Sequence, residues 1–152
     1  MMQIQVSTEK EKTHVPDYAV DEHTTIYIVD PDEGHCETVS ALMRRLGYRT
    51  MCYANAEKFL DALATPALKG CIISEMQLPG MTGLDLFTTL RERRVGLPFI
   101  ILTSDSDVTR AVSALHRKVA DYVVKPVVER DLITRVRDAL RKIDDGRVKA
   151  IG

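Results

Sequence analysis

From Thr25 onward, short apolar runs alternate with stretches whose apolar residues recur at helical spacing. Ile26-Tyr27-Ile28-Val29 is rich in β-formers and predicts a first strand. Val39, Leu42, Met43 and Leu46 then fall three and four residues apart, as on one face of a helix, and Gly47 ends it because glycine tolerates left-handed geometry. Positions 49–53 predict a second strand, and Asn55 caps a helix carrying Phe59, Leu60 and Leu63. Gly70-Cys71-Ile72-Ile73-Ser74 predicts the third strand, and Leu84, Leu86, Phe87 and Leu90 predict a helix over 83–93. Pro98-Phe99-Ile100-Ile101-Leu102, a helix over 107–117, the strand Tyr122-Val123-Val124 and a helix over 129–143 complete the alternation. Five strands each followed by a helix imply α/β architecture: a doubly wound parallel sheet with helices on both faces.

The first 24 residues lack this pattern. They are polar and charged, are interrupted by Pro16, and read as a tail; 25–143 form the folded unit, and 144–152 form a second tail or a linker. There is no internal repeat.

Chemistry-bearing residues gather where the predicted strands end. Asp30, Asp32 and Glu33 follow the first strand, Glu75 follows the third, Thr103 the fourth, and the pair Lys125-Pro126 the last. Open α/β sheets bind their ligands at the carboxyl ends of the strands, so four strand ends are expected to converge on one site. Each residue also has a structural reading. Asp30-Pro31-Asp32-Glu33 suits an acidic cap on the first helix, Thr103 can satisfy local backbone groups, and Lys125 can be a solvated turn residue.

In the order and spacing of these residues, together with Leu78-Pro79-Gly80-Met81-Thr82-Gly83, the chain resembles the receiver domains of bacterial two-component response regulators over roughly 25–143. The resemblance implies the flavodoxin-like strand order 2-1-3-4-5. It also implies a place in a phosphorelay, in which an aspartate at the position of Glu75 takes a phosphoryl group from a sensor histidine kinase. Mg²⁺ is then held by the carboxylates at positions 30 and 75 and by the carbonyl of Gln77, while Lys125 and Thr103 contact the transferred group. Tyr122 corresponds to an aromatic switch residue acting with Thr103. The surface of the fourth helix, last strand and fifth helix is where a homodimer or another signalling protein docks.

Three positions depart from that pattern. Glu75 carries the phosphoacceptor's charge one methylene further out, and about 1 Å of misplacement costs on the order of a hundredfold in such a transfer. Pro31 replaces an acidic ligand and brings no side-chain oxygen, so Mg²⁺ binding is expected to be weak, with Asp32 substituting only if the loop shifts. Lys118 stands where glycine is common. The expected function is a degenerate receiver that works by protein–protein interaction, without phosphorylation and without enzymatic activity. Two alternatives remain: a weakly phosphorylated, Mg²⁺-dependent receiver controlling a missing DNA-binding effector domain, and a small flavodoxin-like enzyme. Asp30 to Gly34 offers no Gly-rich phosphate loop for the latter. Glu75 is either a fixed charge imitating the phosphorylated state or an inert scaffold residue.

Composition narrows the partners. At 152 residues and a formal net charge of −1 the chain matches one domain without a basic stripe, so this segment is not expected to bind nucleic acid. It has no apolar signal-peptide core and no run of membrane-spanning length, which predicts a cytoplasmic protein. Cys36, Cys52 and Cys71 are odd in number and lack Cys-x-x-Cys spacing, so no disulfide is expected. His14, His23, His35 and His116 show no metal-ligand spacing and read as ordinary side chains.

Overall fold

A computed structural model describes residues 24–63, 69–104 and 121–151, the last ten of these by backbone alone. In chain order the elements are β1 (Thr25–Val29), α1 (Glu33–Arg45), β2 (Arg49–Tyr53), α2 (Ala56–Ala62) and β3 (Gly70–Glu75). They continue with β4 (Gln77–Leu78), β5 (Met81–Thr82), α3 (Gly83–Glu92), β6 (Phe99–Thr103), β7 (Asp121–Val124) and α4 (Glu129–Ile151). The main sheet has the order β2-β1-β3-β6-β7, and its strand pairs are parallel. Counting only these five strands, this is the expected 2-1-3-4-5 order, with the ligand-binding edge at the carboxyl ends of β1 and β3.

Alternation along each strand divides the core in two. Ile26, Ile28, Cys71, Ile73, Ile100, Leu102 and Val123 face Val39, Leu42 and Met43 of α1 and Leu132 and Val136 of α4. Val29, Ile72, Phe99 and Ile101 face Phe59 of α2 and Leu86, Phe87 and Leu90 of α3. β3 and β6 are buried on both faces, which is why their sequences are continuous apolar runs.

Local signals set the helix ends. Asp32 caps α1 by accepting from the N–H of His35, Asn55 caps α2 by accepting from that of Lys58, and Gly47 follows α1 with φ of 97°. Thr82 and Asp85 form a reciprocal capping box at α3. The loop expected after β3 contains the two-residue hairpin β4–β5. The last helix was expected over 129–143 but runs on to Ile151. The helix expected over 107–117, the departure at Lys118 and residues 1–23 of the expected tail 1–24 lie outside the described residues.

One expectation is corrected. Cys36 on α1 and Cys52 on β2 are joined by a disulfide with Cα atoms 6.4 Å apart. Cysteine spacing carried no hint of this, because the pairing depends on α1 packing beside β2. Bridging residues 16 apart removes about 3 kcal/mol of chain entropy from the unfolded state. Cys71 remains a free thiol inside the core, and burial pushes its pKa up to about 12. Thiol titration of the unreduced protein is therefore expected to find no reactive thiol in the native state and one after denaturation, with all three appearing once the denatured chain is reduced.

Candidate functional site at the strand ends

Asp30, Glu75 and Lys125 each continue the alternation of the strand before them, two residues beyond Ile28, Ile73 and Val123. Their side chains therefore leave the sheet on the face covered by α1 and α4. They line one open cavity of about 640 Å³ together with Pro31, His35 and Gln77. The convergence expected from sequence is present for these positions.

The Lys125 ammonium donates to Glu75 Oε1, and the two side chains are 31% and 11% exposed. The other carboxylate oxygen, Oε2, accepts from the N–H of Met76 at 3.2 Å. Lys125 is anchored as well through its backbone, whose N–H donates to the carbonyl of Thr103 at 2.8 Å, and the peptide bond to Pro126 is cis. Thr103 itself is buried at the end of β6, opposite Val124 in the register. Tyr122, paired with Ile101, is half-buried against the α2/α3 side of the core.

Behind Glu75 the start of α3 comes close to the β3 backbone. The Gly83 N–H donates to the Met76 carbonyl at 2.7 Å, and a Cβ at Gly83 would lie 2.9 Å from the Glu75 carbonyl oxygen. Glycine is needed here for close approach, so the Pro-Gly-Met-Thr-Gly loop also fixes where Glu75 stands.

The acidic loop behaves differently from the expected metal cradle. Asp30 is only 4% exposed. Its Oδ1 accepts from the N–H of Asp32 at 2.9 Å, and its Oδ2 meets Nδ1 of His35. Asp32 is spent on the N-cap of α1, accepting from the His35 N–H at 3.0 Å, so the cap reading holds for Asp32 while Asp30 belongs to the site. His35, read from the sequence as an ordinary histidine, sets its ring over Asp30 from the first turn of α1. No signal in the sequence marked it, since the contact depends on how the first turn of α1 lies over the end of β1.

A parallel doubly wound sheet with an acid, a carboxylate and a Lys-Pro pair at its strand ends defines a response-regulator type of receiver. The sequence pattern of the response regulator receiver domain matches residues 26–137, and the chain belongs to that family. It is 36% identical over 121 residues to the response regulator protein TmoT of Ectopseudomonas mendocina, covering 80% of this chain and 54% of TmoT. It is 32% identical over 127 residues to the transcriptional regulatory protein FixJ of Azorhizobium caulinodans, covering 83% of this chain and 60% of FixJ. Among solved structures, full-length FixJ from B. japonicum superposes with a TM-score of 0.70 at 28% identity, over 80% of this chain and 60% of that one. The chain thus spans little more than half the length of these curated relatives.

Receiver domains are signalling domains that interact with histidine kinases and effector domains, and they typically bind Mg²⁺ at the phosphorylation site. The donors here do not match that ion. Mg²⁺ requires a near-octahedral shell of oxygens. Pro31 supplies no side-chain oxygen, Asp32 gives Oδ1 to the cap, and a histidine nitrogen faces the remaining Asp30 oxygen. No helix among the described residues is long and apolar enough to cross a membrane.

The Glu75–Lys125 pair leads to a measurable expectation. Removing one partner leaves a half-buried charge, so Glu75→Gln and Lys125→Ala should each lower unfolding free energy by about 1–2 kcal/mol. In a double-mutant cycle followed by denaturant unfolding, the two losses should couple by about 1 kcal/mol; simple addition would show that the pair contributes nothing.

Proposed function

We propose that this chain acts as a degenerate receiver, an interaction module whose output does not depend on aspartyl phosphorylation. The receiver unit is taken as 25–143, with 1–24 as a tail and 144–152 as a tail or linker into which the last helix continues. The observation that supports the reading most directly is the state of the Glu75 carboxylate. One oxygen is engaged by Lys125 and the other by the Met76 N–H, in a side chain one methylene longer than the family's phosphoacceptor. Phosphoryl transfer depends on an attacking oxygen held in line and on cations that offset the developing charge. With Pro31 in the acidic loop, Mg²⁺ at Asp30, Glu75 and the Gln77 carbonyl is weak, and the second requirement is unmet as well.

The partners this reading favours are a sensor histidine kinase or another signalling protein, or a second copy of the chain. They would dock through the surface around Tyr122, β7 and α4, where Val124 and Val128 are exposed. The partial coverage of TmoT and of FixJ, a transcriptional regulator by name, favours a second reading in which the unit controls an effector domain. Glu75 is proposed as an inert scaffold residue, because a carboxylate has less charge and fewer acceptor oxygens than a phosphoryl group.

Incubation with acetyl phosphate and Mg²⁺ at neutral pH should leave the intact mass unchanged. The double substitution Pro31→Asp with Glu75→Asp should acquire one phosphoryl group under the same conditions. Stoichiometric labelling of the unaltered protein, mapped to Glu75, would overturn the reading. Sedimentation of the unaltered protein and of Glu75→Gln should give equal self-association constants, whereas a weaker constant for Glu75→Gln would identify a phosphate mimic.

A further inference from the structure

We propose that Asp30, His35 and Glu75 form a binding site for a divalent transition ion of the zinc class, in place of the family's Mg²⁺. The three side chains come from the loop after β1, the first turn of α1 and the end of β3, so the fold and not local sequence assembles them. One ligand atom from each lies within 4.8 Å of the others. Ligands about 2 Å from a common ion lie within roughly 4 Å of each other, so closing the site takes side-chain movements of about 1 Å.

The donor set determines the class of ion. An imidazole nitrogen with two carboxylates suits Zn²⁺, Co²⁺ or Ni²⁺, whereas Mg²⁺ and Ca²⁺ take oxygen. His35 Nδ1 already faces Asp30 Oδ2, and an ion placed between them takes both, displacing any proton they share. Each carboxylate also keeps one oxygen on a protein donor that fixes its orientation, Asp30 Oδ1 on the Asp32 N–H and Glu75 Oε1 on Lys125. Glu75 Oε2 has only a 3.2 Å contact from the Met76 N–H, which also donates to the Leu102 carbonyl at 3.0 Å, and keeps a lone pair for the ion. Such supporting contacts accompany metal ligands generally. The open cavity of about 640 Å³ gives the ion a route in and leaves its remaining positions to solvent. The Lys125 charge beside Glu75 works against the ion and moderates its affinity. The site goes beyond the proposed function, since it requires only the apo geometry and holds whether or not Glu75 accepts a phosphoryl group.

The test is a Zn²⁺ titration of the intact, unreduced chain by calorimetry, repeated in 10-fold to 1000-fold excess of Mg²⁺ (about the range over which a hard-ion site would compete). One equivalent of Zn²⁺ should bind, and Mg²⁺ should not displace it. His35→Gln and Glu75→Gln should each weaken binding by about tenfold or more, while substituting His14, His23 and His116 together should leave it unchanged. Equal affinity in His35→Gln, or displacement by Mg²⁺, would overturn the proposal. Co²⁺ gives a readout in the unaltered protein that does not depend on the variants folding: the His35 imidazole resonances should show hyperfine shifts. Unshifted His35 resonances at saturating Co²⁺ would also overturn it.

Discussion

The ion pair between Glu75 and Lys125 is the contact on which the working end of this molecule depends. β3 and β7 are not neighbours, because β6 lies between them. The lysine reaches back over the end of β6 to the glutamate, while its backbone N–H holds the carbonyl of Thr103 on that same strand. On the other side the Met76 N–H holds the carbonyl of Leu102, so three strand ends are tied within a few residues. The pair contributes modestly to global stability, of order 1 kcal/mol, because water still reaches the lysine and fixing two long side chains costs entropy. Its effect is positional, since it decides where the only carboxylate at the end of β3 points.

The sheet was legible in the sequence because its signals are local and redundant. Ile72, Ile73, Ile100 and Ile101 sit in short apolar runs that suit strands buried on both faces, and Asn55 and Gly47 mark helix ends by backbone chemistry that operates at one residue. Strand order was legible only through family resemblance, because nothing within a strand specifies its neighbour. The site was legible at Asp30, Glu75 and Lys125, which lie at strand ends and inherit their direction from the two-residue repeat. It was not legible at His35 or at the Cys36–Cys52 bridge. Both depend on how α1 lies against β1 and β2, a tertiary relation that a residue's own neighbours in sequence do not encode.

Pro31 changes more than the count of carboxylates. With a fixed φ and no N–H of its own, it holds the chain in a turn in which Asp30 Oδ1 accepts from the N–H two residues on, the usual behaviour of an aspartate that starts a turn. That contact takes one Asp30 oxygen for the backbone. The turn then delivers Asp32 to the N-cap of α1, which takes the second acidic group and at the same time sets the first helical turn on which His35 sits. The turn at position 31, the cap at Asp32 and the place of the His35 ring are thus set together.

Glu75 shows the same economy. An aspartate at this position would carry its oxygens one methylene closer to the backbone, free to attack a donor held above the strand ends. The glutamate is long enough to meet the Lys125 ammonium with one oxygen and to turn the other back onto the N–H of Met76. The added length therefore does two things at once: it completes the clamp across β6, and it sets both oxygens against protein donors. Gly83 lets the start of α3 approach this backbone closely from behind. In this chain, the carboxylate is held in place from two sides, by the lysine that follows β7 and by the backbone that follows β3.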